Sequence, residues 1–102
     1  RRKFVTALVV PNLEKLGAYA RKHSISSAGP GDLVQKPEIV SAFWEHVRSV
    51  NEQLASFEQI KKITLLAEPF TIAGGTLTPT MKVKRRVIAE RYAAEIEAMY
   101  QE

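Results

Sequence analysis

The sequence predicts a single small domain of the α+β class, in which a short β-sheet packs against about three helices in the order β-α-α-β-α. Two short runs rich in apolar and β-branched residues, at 4–10 and 60–66, are typical of strands. Three longer segments repeat their apolar residues at the spacing of a helix. Because two helices separate the strands and one follows them, the order favours α+β over a doubly wound α/β fold.

The first strand and the first helix are predicted from the start of the chain. Residues 4–10 are apolar or β-branched and end at Pro11, which indicates a strand buried on both faces. Asn12 is a suitable N-cap for the helix that follows. That helix is expected to end near His23, before a loop of turn-forming residues at 26–31.

The second helix is predicted to be the longest, from Pro37 to about Ser56. Its apolar residues form one stripe, and three of them, Phe43, Trp44 and Phe57, are expected to lie in the core. The stripe consists of Ile39, Val40, Phe43, Trp44, Val47, Val50, Leu54 and Phe57. A second strand follows at 60–66. A turn-rich connection at 69–76, with two glycines that allow positive φ angles, then leads to the last helix.

The last helix is predicted by apolar residues three to five positions apart, namely Val83, Val87, Ile88, Tyr92, Ile96, Met99 and Tyr100. Thr78 or Thr80 can cap its start, and Pro79 suits its first turn. Its charges oppose the helix dipole, because cations lie near its start and acids near its end. The cations are Lys82, Lys84, Arg85 and Arg86, and the acids are Glu95, Glu97 and Glu102. Each misplaced charge costs about 0.3–1 kcal/mol, which predicts an anionic partner at the helix start.

The composition is that of an ordinary folded domain with a positive net charge. Apolar residues make up 45% of the 102-residue chain and the formal net charge is +4, which favours anionic partners such as a nucleotide, a nucleic acid or a lipid surface. The chain has no cysteine, so disulfides and thiolate metal sites are excluded. No apolar run approaches the roughly 20 residues that cross a bilayer.

Residues 77–86 carry the most specific motif of the chain, Leu-Thr-Pro-Thr-Met-Lys-Val-Lys-Arg-Arg. This motif resembles the closing motif of the AMP-forming acyl-CoA synthetases, the superfamily that includes luciferases and peptide-synthetase adenylation domains. Three upstream segments, at 4–12, 47–54 and 57–66, resemble the C-terminal domain of those enzymes in the same order. Most members have glycine immediately before the lysine, whereas Met81 at that position resembles the long-chain fatty acid branch.

The resemblance implies a role for four residues of the motif. Lys82 is expected to be the catalytic lysine that bridges the carboxylate and the α-phosphate during acyl-adenylate formation, before the thioester forms with coenzyme A. Thr80, Lys84 and Arg85 are candidate substrate-binding residues. For Arg85 an alternative is a pairing with an acid of this domain or of a partner domain. No metal ligand is expected in this chain.

The resemblance also implies that residues 1–102 are one C-terminal lid domain, excised from a larger enzyme. The start at Arg1 without an initiator methionine agrees with that interpretation. Its partner would be an N-terminal adenylation domain that holds ATP, Mg²⁺ and a long-chain fatty acid. The isolated domain is expected to be inactive and to bind none of ATP, Mg²⁺ or coenzyme A tightly. The expected location is cytoplasmic, and peripheral contact of the full enzyme with a membrane stays open.

Two alternatives remain at this point. The same fold could come from a fatty acyl-AMP ligase or from an adenylating enzyme for another acid. A small basic module that binds nucleic acid through a helix at 82–91 would explain the charge, but not the Thr-Pro-Thr loop. The chain also lacks the pattern of stacking aromatic residues expected of such modules, so we expect no nucleic-acid partner. His23 and His46 have no neighbours in sequence that suggest catalysis.

Overall fold

The computed structural model describes residues 4–101 and confirms the α+β class. Within that range the elements are β1 (Val5–Val9), α1 (Leu13–Lys22), α2 (Pro30–Leu33), α3 (Pro37–Asn51), a 3-10 turn (Ser56–Glu58), β2 (Ile60–Leu65), α4 (Arg85–Arg91) and α5 (Ala93–Met99). The two predicted strands and the first two predicted helices are present in the predicted order. The third predicted helix is divided into α4 and α5, and α2 was not predicted.

The sheet consists of β1 and β2, which pair in parallel. The register runs from Val5 opposite Ile60 to Val9 opposite Leu65, with one irregularity after Val5. The prediction that the first strand is buried on both faces is wrong, because Val5 is 40% exposed and the rest of β1 is only half-buried. Helices contact both faces but cover them only in part: Val9 packs against the buried residues of α1 and α3, whereas Leu8 and Val10 pack against Ile88 and Tyr92.

The core is formed by two clusters that meet at the end of β2. The larger cluster joins α1, α2, α3 and β2, and its buried residues are Leu16, Ala20, Leu33, Val34, Ile39 and Leu65. Ile39 is completely buried. The smaller cluster joins the residue after β2 to the last helices through Leu66, Ile88 and Tyr92. The chain between β2 and α4 is therefore anchored at both ends in buried apolar side chains.

The region before α3 contains one confirmed prediction and one correction. The Asn12 side chain accepts a hydrogen bond from the Lys15 N–H at 3.0 Å, which confirms Asn12 as the N-cap of α1. The loop predicted at 26–31 is in part helical, since α2 begins at Pro30. The Asp32 carboxylate accepts a hydrogen bond from the Ala28 N–H at 3.0 Å and so supports this short helix from within the loop.

The helix α3 ends five residues earlier than predicted, and the Asn51 side chain accounts for its end. Asn51 Nδ2 donates to the Ile60 carbonyl at 2.9 Å, and its Oδ1 accepts from the Ile60 N–H at 2.8 Å. Gln59 adds a hydrogen bond to the Asn51 carbonyl at 3.0 Å. Phe57 therefore lies outside α3, on the 3-10 turn, and is 80% exposed. Its predicted place in the core is wrong.

The last helix is interrupted at Tyr92, which serves as the C-cap of α4 and the N-cap of α5. The Tyr92 side chain is buried and its ring lies 6.4 Å from that of Phe70. The interruption places Glu95 in the first turn of α5, where a carboxylate is favourable. The predicted conflict with the helix dipole therefore remains at the start of α4 and at Glu97, which lies in the last turn of α5. None of the helices between residues 4 and 101 is long and apolar enough to cross a membrane.

Candidate functional site

The motif at 77–86 forms a small β-hairpin followed by a helix. Leu77 and Val83 make an antiparallel bridge. Hydrogen bonds lie on either side of it, from the Thr78 N–H to the Lys82 carbonyl at 2.8 Å and from the Lys84 N–H to the Thr76 carbonyl at 2.9 Å. Residues 76–84 form this hairpin, termed the site hairpin.

The hairpin corrects the predicted start of the last helix. The helix α4 begins at Arg85, with Lys84 as an N-cap that makes no side-chain hydrogen bond. Neither Thr78 nor Thr80 caps it, because the N–H groups near Lys82 are used by the hairpin. Pro79 lies in the hairpin turn, where its fixed φ is as suitable as in the first turn of a helix. With seven residues, α4 also has too few turns to give the predicted anion site much support.

The tip of the site hairpin consists of Pro79, Thr80 and Met81. The Met81 N–H donates to the Thr78 carbonyl at 2.8 Å, which closes a turn with proline in its second position. Met81 has a φ angle of 67°, in the left-handed region that favours glycine. A turn followed by one left-handed residue is a common three-residue hairpin connection. This geometry would suit a glycine at position 81 better than a residue with a side chain.

Thr78 holds the main chain of Lys82 on both sides. Its Oγ1 accepts a hydrogen bond from the Lys82 N–H at 3.0 Å, and its own N–H donates to the Lys82 carbonyl. The hydroxyl of Thr80 lies 3.1 Å from that of Thr78. Thr80 therefore faces Thr78 within the turn, and its expected contact with substrate stays a prediction.

The base of the site hairpin is anchored by Thr76 and Leu77. Thr76 is 2% exposed, and its Oγ1 accepts from the Thr71 N–H at 2.8 Å and donates to the Thr71 carbonyl at 3.2 Å. Leu77 is buried, and its N–H donates to the same carbonyl at 3.1 Å. The base of the hairpin is therefore buried and hydrogen-bonded to the connection that precedes it.

Four cations lie along the second half of the site hairpin and the start of α4: Lys82, Lys84, Arg85 and Arg86. All four are exposed. In the part of the chain that the structure describes, the Lys82 ammonium makes no ion pair or hydrogen bond. Arg85 forms no ion pair with an acid of residues 4–101, which leaves a partner domain as the other expected partner. The structure thus brings Lys82, Lys84 and Arg85 together on one short exposed segment.

Arg85 and Val83 also border an open groove of about 330 Å³ between the sheet and the last helices. The groove floor is apolar and includes Leu8, Phe70 and Ile96. The two histidines lie elsewhere and are exposed, with the His23 ring 4.2 Å from that of Tyr19 and His46 beside a second groove between α1 and α3. No catalytic arrangement forms around either histidine in the described range.

A family model described as the AMP-binding enzyme C-terminal domain matches residues 1–102, the whole length of the chain. The chain belongs to this family. The match confirms the resemblance inferred from the closing motif and the three segments before it. No solved structure matches this chain.

Curated relatives of this AMP-binding enzyme C-terminal domain are much longer proteins. The long-chain-fatty-acid–CoA ligase FadD15 of Mycobacterium tuberculosis is 37% identical over 98 residues, which cover 95% of this chain and 16% of that protein. Long-chain-fatty-acid–CoA ligase 5 of Rattus norvegicus is 35% identical over 102 residues, covering 98% of this chain and 15% of the ligase. Human long-chain-fatty-acid–CoA ligase 1 is 34% identical over 99 residues, which cover 95% of this chain and 14% of the ligase. The chain thus spans about a sixth or less of these relatives.

Two residues of this AMP-binding enzyme C-terminal domain matter to the site geometry and were not predicted as site residues. Thr76 fixes the base of the hairpin, and Thr78 holds Lys82. The alternation of three threonines with Leu77 and Pro79 at 76–80 is the signal in the sequence, since β-branched residues at every second position favour a strand. Thr78 and Thr80 are equally suitable as helix caps, so the threonines alone do not distinguish a strand from a helix start.

Proposed function

We propose that this chain is the mobile C-terminal domain of an AMP-forming long-chain fatty acid–CoA ligase. Family membership and three relatives with that activity in their names support the proposal. The partner in this proposal is an N-terminal adenylation domain that binds ATP and the fatty acid. No observation on the described residues favours the nucleic-acid alternative.

One observation carries the proposed role of the domain in catalysis. Lys82 presents an exposed ammonium group, unpaired within residues 4–101, on a hairpin whose base is buried and whose turn is closed by hydrogen bonds. A solvated surface lysine needs no such support for its main chain. A lysine that must enter another domain at a defined angle does need it, because misplacement by about 1 Å can cost two orders of magnitude in rate.

The proposed first step joins two anions. A carboxylate oxygen of the fatty acid attacks the α-phosphorus of ATP, the bond to the β-phosphate oxygen breaks, and pyrophosphate leaves with that electron pair. The Lys82 ammonium offsets the repulsion and the charge that develops on the phosphate oxygens. A unit charge pair about 4 Å apart contributes roughly 4 kcal/mol at an effective dielectric near 20.

The second step is the transfer of the acyl group to coenzyme A. The thiol loses its proton to water, its sulfur attacks the acyl carbonyl carbon, and AMP leaves with the electrons of the carbon–oxygen bond. Lys82 is not required once the adenylate exists, so the domain is free to turn and present another face. Lys84 and Arg85 are proposed to attract the phosphate groups of the substrates, and Thr80 to contact substrate from the tip of the hairpin.

Mg²⁺ is proposed to bind outside this domain. The described residues bring together no group of three or more histidine, cysteine, aspartate or glutamate side chains that could hold a metal ion. The proposal places the cation with ATP in the N-terminal domain, because the resemblance implies that ATP is held there. The proposed location of the full enzyme is the cytoplasm. The alternative is peripheral contact with a membrane, and cell fractionation would distinguish the two.

The proposal is tested with the full-length protein that carries this chain, supplied with ATP, Mg²⁺, a C16 fatty acid and coenzyme A. We expect AMP, pyrophosphate and acyl-CoA in equal amounts, and no product from residues 1–102 alone. Accumulation of acyl-AMP that coenzyme A does not consume would identify a fatty acyl-AMP ligase instead. Absence of fatty-acid-dependent pyrophosphate release would refute the proposal.

A further inference from the structure

We infer that Thr78 is the positioning residue for Lys82, acting through its side-chain hydroxyl on the main chain of the lysine. The inference rests on the proposed function, because it concerns the step in which Lys82 acts. It adds a residue that makes no contact with the reacting atoms and yet determines where the lysine amine points.

Thr78 makes three hydrogen bonds to the two residues that determine the direction of the lysine side chain. The Met81 N–H donates to its carbonyl at 2.8 Å, and its N–H donates to the Lys82 carbonyl at 2.8 Å. These two bonds are made by the backbone and would persist with any residue other than proline. The third bond, from the Lys82 N–H to Oγ1 at 3.0 Å, requires a hydroxyl at this position.

The hydroxyl bond matters because of the residue before the lysine. Met81 has a φ angle of 67°, a backbone conformation that residues other than glycine rarely adopt. The backbone of Met81 is therefore strained, and the next peptide joins this strained residue to Lys82. The bond from Lys82 N–H to Thr78 Oγ1 holds that peptide in place, and with it the direction in which the lysine side chain leaves the hairpin.

The expected consequence of losing the hydroxyl is a lysine that is present but misdirected. Thr78→Val keeps the shape and the β-branch and removes the acceptor for the Lys82 N–H. We expect the rate of adenylation to fall by about 10- to 100-fold, since the amine must enter the site at a defined position. Thioester formation from supplied acyl-adenylate is expected to change less than twofold, because Lys82 is not used in that step.

The experiment compares four variants of the full-length enzyme by single-turnover pyrophosphate release and by conversion of supplied acyl-adenylate to acyl-CoA. Thr78→Val tests the hydroxyl, and Thr78→Ser restores it in a smaller side chain. Thr64→Val on β2 is the matched control, since it removes a threonine hydroxyl from outside the site hairpin. Lys82→Ala gives the effect of losing the amine altogether.

Slow adenylation in Thr78→Val, recovery to within about threefold of wild type in Thr78→Ser and intact thioester formation in both would support the inference. Equal loss of both half-reactions in Thr78→Val, or a serine variant as slow as the valine variant, would overturn it. If Thr78→Val does not fold, the pair Thr78→Ala and Thr78→Ser gives the same comparison.

The two proposals fail separately in this design. If Lys82→Ala adenylates as fast as wild type, the proposed role of the lysine is wrong. If Lys82→Ala is slow while Thr78→Val matches Thr64→Val, the lysine assignment stands and the inference about Thr78 is overturned.

Discussion

At the scale of single residues, Met81 has a backbone conformation that carries an energetic cost for any residue with a side chain. Its left-handed backbone is required by the turn that closes the site hairpin, and it lies next to Lys82. The side chain is 64% exposed, so no packing within the described chain compensates for that conformation. A glycine at position 81 would adopt the same turn with less strain. Its more flexible backbone would, however, restrict the direction of the Lys82 side chain less.

Substitutions of Met81 should separate backbone strain from side-chain contacts. In Met81→Gly, relief of about 1–2 kcal/mol of left-handed strain is offset by about 0.4–1 kcal/mol of added freedom in the unfolded chain. We therefore expect the glycine variant to be more stable than the parent by between about 0 and 1.5 kcal/mol. Met81→Val should be less stable by about 1 kcal/mol or more, because a β-branched residue rarely adopts positive φ.

The measurement is the free energy of unfolding of residues 1–102 from urea titrations of the three proteins. The expected order of stability is glycine, methionine, valine. A valine variant as stable as the parent would show that position 81 is not left-handed in solution.

At the scale of elements, the sequence around the end of α3 and the start of α4 is compatible with two structures. Contacts of individual side chains decide between them. The apolar stripe of α3 continues to Phe57, so periodicity alone extends the helix beyond Asn51. What ends the helix is the pairing of the Asn51 amide with the main chain of Ile60, a contact across nine residues. Apolar periodicity carries no information about a contact across nine residues. The Asn12 cap acts over only three residues and was therefore predictable.

The same reasoning applies to the segment before α4. Threonine and proline serve equally well in a helix cap and in a turn, and the apolar spacing from Val83 onward favoured the cap. The bridge between Leu77 and Val83 decides for the turn. The resemblance of the motif points to Lys82 as a candidate catalytic residue without its geometry, and that role stays a prediction. The hydrogen bond from the Lys82 N–H to Thr78 Oγ1 depends on the fold of the turn, which the motif alone does not contain.

Removal of the Asn51 side chain should destabilise the connection between α3 and β2. Asn51→Ala loses two hydrogen bonds, each worth about 0.5–1.5 kcal/mol, so we expect a loss of about 1–3 kcal/mol in the free energy of unfolding. Gln53→Ala, at an exposed position two residues later, is the control and should change stability by less than about 0.5 kcal/mol. Equal effects of the two substitutions in urea unfolding would contradict the role of Asn51.

At the scale of the whole molecule, the domain is a support that carries one exposed hairpin. The larger cluster holds α1, α2 and α3 against β2, and the smaller cluster holds the last helices against the residue that follows β2. The site hairpin leaves this body between Leu66 and Ile88, both of which are buried. Any rotation of the domain therefore moves Lys82 with the body, as one half-reaction gives way to the next in the proposed cycle.

The central claim is that the Lys82 amine acts in adenylation and not in thioester formation. Fatty-acid-dependent exchange between ATP and pyrophosphate in the full-length enzyme tests it most directly, with Lys82→Ala compared to Lys61→Ala, which removes the same charge from an exposed position on β2. We expect Lys82→Ala to lower the exchange rate by about 10²- to 10³-fold, by analogy with the loss of an oxyanion-stabilising donor. The same variant should still convert supplied acyl-adenylate to thioester, and Lys61→Ala should match wild type in both reactions. Exchange at the wild-type rate in Lys82→Ala, or an equal loss of both half-reactions, would contradict the claim.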